Sequence, residues 1–170
     1  GGYTATYARG PKWAGSLPDA PGVLTTFGLS ADTIAPASLT SPASGDRRYA
    51  GVVRLMAGTQ FERNGYEATL SLGVDVTGNQ TGLGDFQSFV HNAIGIAQPS
   101  DAVLAAQIGN AVRLAALAEL GHTYDLGHNL RLRPVVSAEL GNESLLRAGF
   151  DLDLGGFTDH ALMGREGATG

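Results

Sequence analysis

The stretch GYEATLSLGVDVTG, residues 65–78, decides how the rest of the chain is read. Tyr66, Ala68, Leu70, Leu72, Val74 and Val76 fall on one side of an extended chain, and Glu67, Thr69, Ser71, Gly73 and Asp75 on the other. Successive side chains of a strand point to opposite faces, so this alternation describes a strand with one apolar and one polar face. The same division recurs in YAGVVRLMAGTQFE (49–62), where Tyr49, Gly51, Val53, Leu55 and Ala57 oppose Val52, Arg54 and Gln60. NLRLRPVVSAELG (129–141) sets Leu130, Leu132, Val136, Ala138 and Leu140 against Arg131, Arg133, Ser137 and Glu139. In SLLRAGFDLDLGG (144–156), Leu146, Ala148, Phe150, Leu152 and Leu154 lie opposite Arg147, Gly149, Asp151 and Asp153.

Less regular strands are expected at YTATYAR (3–9), GVLTTFGLS (22–30) and AVRLAALAELGHTY (111–124), the last rich enough in Ala and Leu to read as a helix as well. The total is about seven strands. GPKW, SGDRR, ERNG, DLGHN and GNES separate them, each supplying Gly, Asn or Asp for a tight turn. Short turns imply antiparallel neighbours.

Composition agrees with this reading. The 170 residues show no sharp shift in character, which predicts a single domain over 1–170, and 25 glycines with only 16% charged residues favour strands and turns. There is no cysteine, hence no disulfide framework and no thiolate chemistry. A net charge of −5, with Lys12 the only lysine, excludes the clustered cationic face that nucleic acid requires. No apolar run approaches the roughly 20 residues of a membrane-spanning helix. The opening GGYTATY has neither an initiator Met nor a signal-peptide pattern, so a processed product or a fragment is expected.

Alternation of this kind suits two architectures. A soluble barrel or sandwich turns the apolar face inward, while an outer-membrane barrel turns it outward to lipid and keeps charges inside. Strands of about 9–12 residues, and polar faces mixing both charge signs (Arg131, Arg133, Glu139, Arg147, Asp151, Asp153), lean toward the membrane barrel. About seven strands do not close a barrel of even strand number, so a partial barrel is expected.

One segment breaks the period. In GLGDFQSFVHNAIGIAQPSD (82–101), Phe86, Phe89, Val90, Ala93 and Ile94 recur at helical spacing. The spacing predicts a short helix over 85–95, with Asp85 as N-cap and Gly95 as stop, and a second short helix from Ser100 to Gln107. Gln87 and His91 stand four apart, so their side chains share one helix face. A lone histidine among apolar residues is most often a packed one, and His122, His128 and His160 read as ordinary surface residues. No HExxH, GxSxG or Walker-type spacing is present.

The order of motifs resembles a known family. GDRRYAG (45–51), then YEATLSLGV (66–74), a glycine-containing turn, and QSFVHNAIG (87–95) resemble the outer-membrane lipid A 3-O-deacylase (LpxR-like) family, which reads DRPYAG, a strand of LSLGV type, and Gln-x-x-x-His. GNES with LLRAGFDLDLG downstream, and GGYTATYARG at the start, resemble further strands of that family. The resemblance implies an antiparallel, twelve-stranded outer-membrane β-barrel of a Gram-negative bacterium, with the active site between the barrel wall and a loop helix. It also implies calcium-dependent hydrolysis of an ester-linked acyl chain of lipopolysaccharide lipid A. Carried over, His91 becomes the general base, Gln87 its oxyanion-binding neighbour, Thr4 a residue lining the cleft, and Gln107 and Asn110 substrate-binding residues. Asp46, Arg47 and Tyr49 read as mainly structural. The chain departs from the pattern at Arg48, where Pro is usual, at Ala5 and Thr6, where Asn-Gly is usual, and at Ala111, where Glu is usual. The Asn-Asp strand that works with the histidine and calcium, and the family's last strands, have no counterpart, so the calcium ligands stay unassigned.

Overall fold

The computed structural model of the protein describes residues 2–11, 16–127 and 129–155. The strands are β1 (Gly2–Arg9), β2 (Thr25–Ile34), β3 (Ala50–Arg63), β4 (Tyr66–Thr77), β5 (Ala111–His122), β6 (Tyr124–Gly127), β7 (Leu130–Leu140) and β8 (Leu145–Leu154). Two helices, α1 (Leu83–Ile94) and α2 (Asp101–Ala105), lie between β4 and β5. All pairings are antiparallel, and β1 to β5 each lie beside the next strand in the chain. β7 then pairs with β5, β6 and β8. Gly121 faces Val135 and Tyr124 faces Leu132, so β6 carries β5 onward past Thr123 in the same register. The eight segments therefore make seven staves, as the alternation predicts.

Which face is inside is now decided. Asp75 is fully buried, and Thr26, Asp32, Thr77, Arg133 and Glu139 are buried with it, whereas Leu72 is 71% exposed, Leu114 86% and Leu146 81%. The polar faces line the concave side and the apolar faces look outward. This inverts a soluble core and rejects a soluble barrel whose apolar faces line a cavity; it is the arrangement of a membrane barrel. On β4 the outward series runs from Tyr66 to Val76. At about 3.4 Å per residue and a tilt of about 45°, it covers about 24 Å of height, close to the apolar band of an outer-membrane barrel. Among the described residues, no helix is long and apolar enough to cross a membrane, which bears on helices alone.

Ion pairs between strands fill the inside. Arg54 on β3 grips Asp75 on β4 with two bonds (Nε to Oδ1 2.7 Å, Nη2 to Oδ2 2.9 Å) and also bonds Glu139 on β7. Arg133 on β7 reaches Glu67 (2.8 Å), Glu119 (3.1 Å) and Asp151 (3.2 Å), tying four staves together. Between these clusters an open-sided cavity of about 190 Å³ is lined by Thr4, Thr26, Thr69, Ser71 and Ser137. Two inward glycines lie where the wall is tightest. A Cβ on Gly73 would stand 1.9 Å from the Leu55 carbonyl oxygen, and one on Gly58 2.6 Å from that of Leu70.

The two ends of the staves differ. One has the tight Asn64–Gly65 turn, both residues with positive φ, as hairpins of this length require. Nearby on the outer face, the His122 ring sits 5.0 Å from Tyr66 and 4.4 Å from Tyr124. His122 thus belongs to an aromatic cluster of the kind that girdles a barrel rim. The other end has the loops over 35–49, 78–110 and 141–144, and with them both helices.

Several boundaries differ from expectation. β2 starts three residues after Gly22, whose positive φ makes it a turn residue, and runs on to Ile34. AVRLAALAELGHTY is a strand, its alternation muted by small residues such as the buried Ala115 on the inner face. The turn GPKW falls partly, and His128, His160 and the chain's last residues wholly, outside the described residues.

Candidate functional site

α1 begins earlier than its sequence suggests. A single 3₁₀ turn (Asn79–Thr81) runs into Gly82, which takes the N-cap with φ 68° and ψ 0°, a left-handed conformation open to glycine at little strain. Asp85 is therefore not the cap. It lies in the first turn, where a carboxylate still favours the positive end of the helix dipole. Gly95 closes the helix in the left-handed region, its N–H donating to the His91 carbonyl, as expected. Ser100 caps α2 by accepting from the Val103 N–H, but that helix stops at Ala105, short of Gln107.

The first turns of α1 lie against the outer surface of the wall. Gly51 belongs to the outward series of β3, and a Cβ there would meet Thr81 Oγ1 at 2.5 Å and Leu83 Cβ at 3.2 Å. Tyr49, two residues earlier on the same side, is 2% exposed beneath the helix. Its hydroxyl donates to Gln87 Oε1 at 2.6 Å. The Gln87 amide nitrogen lies 3.3 Å from His91 Nε2, and His91 Nδ1 lies 3.0 Å from the Ala97 carbonyl oxygen.

These contacts select one tautomer of the neutral ring. A carbonyl oxygen only accepts, so the neutral imidazole carries its hydrogen on Nδ1, leaving Nε2 with a free lone pair. The Tyr49 hydroxyl in turn orients the Gln87 amide with its N–H₂ toward that lone pair. Burial, and then the carboxylate of Asp85, hold the Tyr49 phenol above its ordinary pKa, so it stays a donor. The outcome is a hydrogen-bonded series, Tyr49 to Gln87 to His91, ending on the ring nitrogen Nε2.

The structure brings Gln87 and His91 together as the spacing predicts. It adds Tyr49, which the sequence reads as mainly structural; its outward parity, two residues before a glycine that leaves room for a neighbour, is the signal that a helix packs there. Thr4 lies elsewhere, on the inner face of β1 beside Ser30 and Arg54 in the cavity. Gln107 donates to Asn79 Oδ1 (2.8 Å), and Asn110 Oδ1 accepts from the Gln80 N–H (3.1 Å). Both therefore brace the turn that launches α1. Asp46 has the structural part expected, accepting from the Ala37 and Arg47 N–H groups at 2.8 Å each.

A calcium ion takes six to eight oxygens, with carboxylates prominent. Among the described residues, no three His, Asp or Glu side chains are grouped to hold a metal ion, and the printed partners of His91 are an amide and a backbone carbonyl. The described residues do not fit a calcium site.

No protein-family model matches the sequence, and no curated protein matches it either. Among solved structures, LpxR from Salmonella typhimurium superimposes with a TM-score of 0.73 at 21% sequence identity, over 89% of this chain and 51% of that one. The chain thus spans about half the length of the protein it matches. Its antiparallel half-barrel, apolar outside and charged within, has the fold of an LpxR-like outer-membrane β-barrel.

Proposed function

We propose that the chain is the site-bearing part of an outer-membrane hydrolase that removes an ester-linked acyl chain from lipopolysaccharide lipid A. The observation that carries this reading is the placement of His91 on a helix seated against the outward face of the wall, where a bilayer lipid would lie, with Nδ1 on the Ala97 carbonyl and Nε2 beside the Gln87 amide. A water bonded to Nε2 gives up a proton as its oxygen attacks the ester carbonyl carbon. The imidazolium then returns the proton to the departing sugar oxygen, leaving a free fatty acid and a hydroxyl. The Gln87 contact at 3.3 Å is long for a hydrogen bond, so the N–H groups of the amide that Tyr49 orients are available to the oxyanion as charge develops. The resemblance to the deacylase family supports the substrate class and the outer-membrane location. A calcium requirement belongs to the same reading, although none of these steps depends on it.

A second reading is a barrel that has kept the fold and lost the reaction. It is favoured by the backbone carbonyl on His91 Nδ1, where hydrolytic histidines usually have a carboxylate. His91→Ala and His91→Gln, expressed in outer membranes, separate the two. Mass spectrometry of lipid A should show acyl release falling by at least about 100-fold in both variants, the usual scale of a general base, with heat-modifiable gel migration unchanged. Release at the parental rate would sink the hydrolase reading.

A further inference from the structure

α1 carries residues for three surroundings. Leu83, Gln87 and His91, at i, i+4 and i+8, are partly covered by the wall and by the Ala97 segment. Phe86, Phe89 and Ala93, at i, i+3 and i+7, form a second row about a third of a turn away. They are exposed, Phe89 at 71% and Phe86 at 54%, and Ile94 and Ile96 at the end of the helix are exposed as well. Asp85 and Asn92 lie on the remaining polar side, both exposed.

A helix with only two surroundings, protein and water, has no use for the second row. The outward series of β3, Gly51, Val53, Leu55 and Ala57, belongs to the lipid-facing band, and the start of the helix rests on the top of that series through Thr81 and Leu83 at Gly51. The apolar patch of α1 therefore continues the band upward at the end of the staves that bears the long loops, which in outer-membrane barrels faces outward. We infer that α1 is an interfacial helix whose Phe86–Phe89–Ala93 row lies among the acyl chains of the outer leaflet, with Asp85 and Asn92 turned to the head groups. Such helices sink about 5–10 Å into the boundary between head groups and chains. The inference depends on the barrel's orientation, not on the hydrolase reading; an inactive barrel would dock α1 in the same way.

The chain has no cysteine, so a single introduced thiol takes a nitroxide at one site only. Phe89→Cys, Ala93→Cys and Asn92→Cys, labelled in the full protein in lipopolysaccharide-containing vesicles, are compared for collision with oxygen and with a neutral nickel chelate. Oxygen concentrates in the hydrocarbon and the chelate in water. Labels at 89 and 93 should show an oxygen-to-nickel ratio at least about threefold above that at 92, as a half-immersed helix requires. Equal, nickel-rich ratios at all three positions overturn the inference, because the helix is then in water. Shielding of 89 and 93 from both reagents overturns it too, because a protein then covers the patch. A Phe86→Ser change in the Ala93→Cys background should move that label toward the chelate without altering gel migration; an unchanged ratio there counts against the inference.

Discussion

Arg54 offers the sharpest test of the inverted interior. Its guanidinium holds Asp75 with two bonds and Glu139 with a third, and the side chains of the two acids are 0% and 6% exposed. Arg54→Met keeps the length and removes the charge, leaving two shielded carboxylates together; among the described residues Asp75 then keeps the Asn142 N–H and the more distant charge of Arg113, and Glu139 keeps Arg147 at 3.8 Å. Breaking a buried pair from one side costs about 3–5 kcal/mol. With a urea slope of about 2 kcal/mol/M, the unfolding midpoint should fall by about 2 M. The readout is loss of heat-modifiable migration across a urea series in lipid vesicles. Neutralising the acids as well, in Arg54→Met/Asp75→Asn/Glu139→Gln, should restore more than half of the loss, since the damage is stranded charge rather than lost attraction. A single variant within about 1 kcal/mol of the parent, or a triple variant no better than the single, would refute the idea that these staves are joined by a shielded ion cluster.

Other perturbations probe the site. Tyr49→Phe removes the donor that orients Gln87, and about 1 kcal/mol of hydrogen bonding should slow acyl release about fivefold without changing folding. The raised Tyr49 pKa means the folded state keeps its phenol proton after the unfolded chain has lost it, so that stability is whole below pH about 10 and declines as pH rises through the folded value. The alkaline decline should be shallower in Tyr49→Phe, as measured by urea midpoints between pH 8 and pH 11. Gly51→Val places carbon where Thr81 and Leu83 sit and should lift α1 from the wall at about 1–3 kcal/mol. Faster proteolytic nicking within 78–110, with gel migration retained, would record it.

Much of the fold can be read from period-two alternation, because β4, β7 and β8 each set a mainly polar face against an apolar one. Which face is inside cannot be read that way, since alternation is symmetric. The answer depends on partners such as Arg54 and Asp75, 21 positions apart, that meet only when β3 and β4 take their register. β5 is ambiguous because alanines on both of its faces weaken the contrast. Gln87 and His91 are legible as a helical pair. Tyr49 is not, because its neighbour lies 38 residues on and reaches it across a loop whose path the sequence leaves open. Thr4 shows the limit of motif matching: the Tyr-Thr pair is present, but on β1 its threonine points into the cavity.

The glycines at 58 and 73, two steps apart across the β3–β4 ladder, carry a consequence for the curvature of the wall. With no side chains there, β3 and β4 approach until a methyl group would collide with backbone oxygen, so the wall can crease along that line. Most of a protein's shape comes from what its side chains fill; here the bend of the wall depends on what two positions leave empty. Methyl groups at both would collide with backbone oxygen across the seam and flatten the wall there. β3 is one side of that seam and also carries Gly51, beneath the start of α1, so the same two absences bear on the surface on which the helix rests.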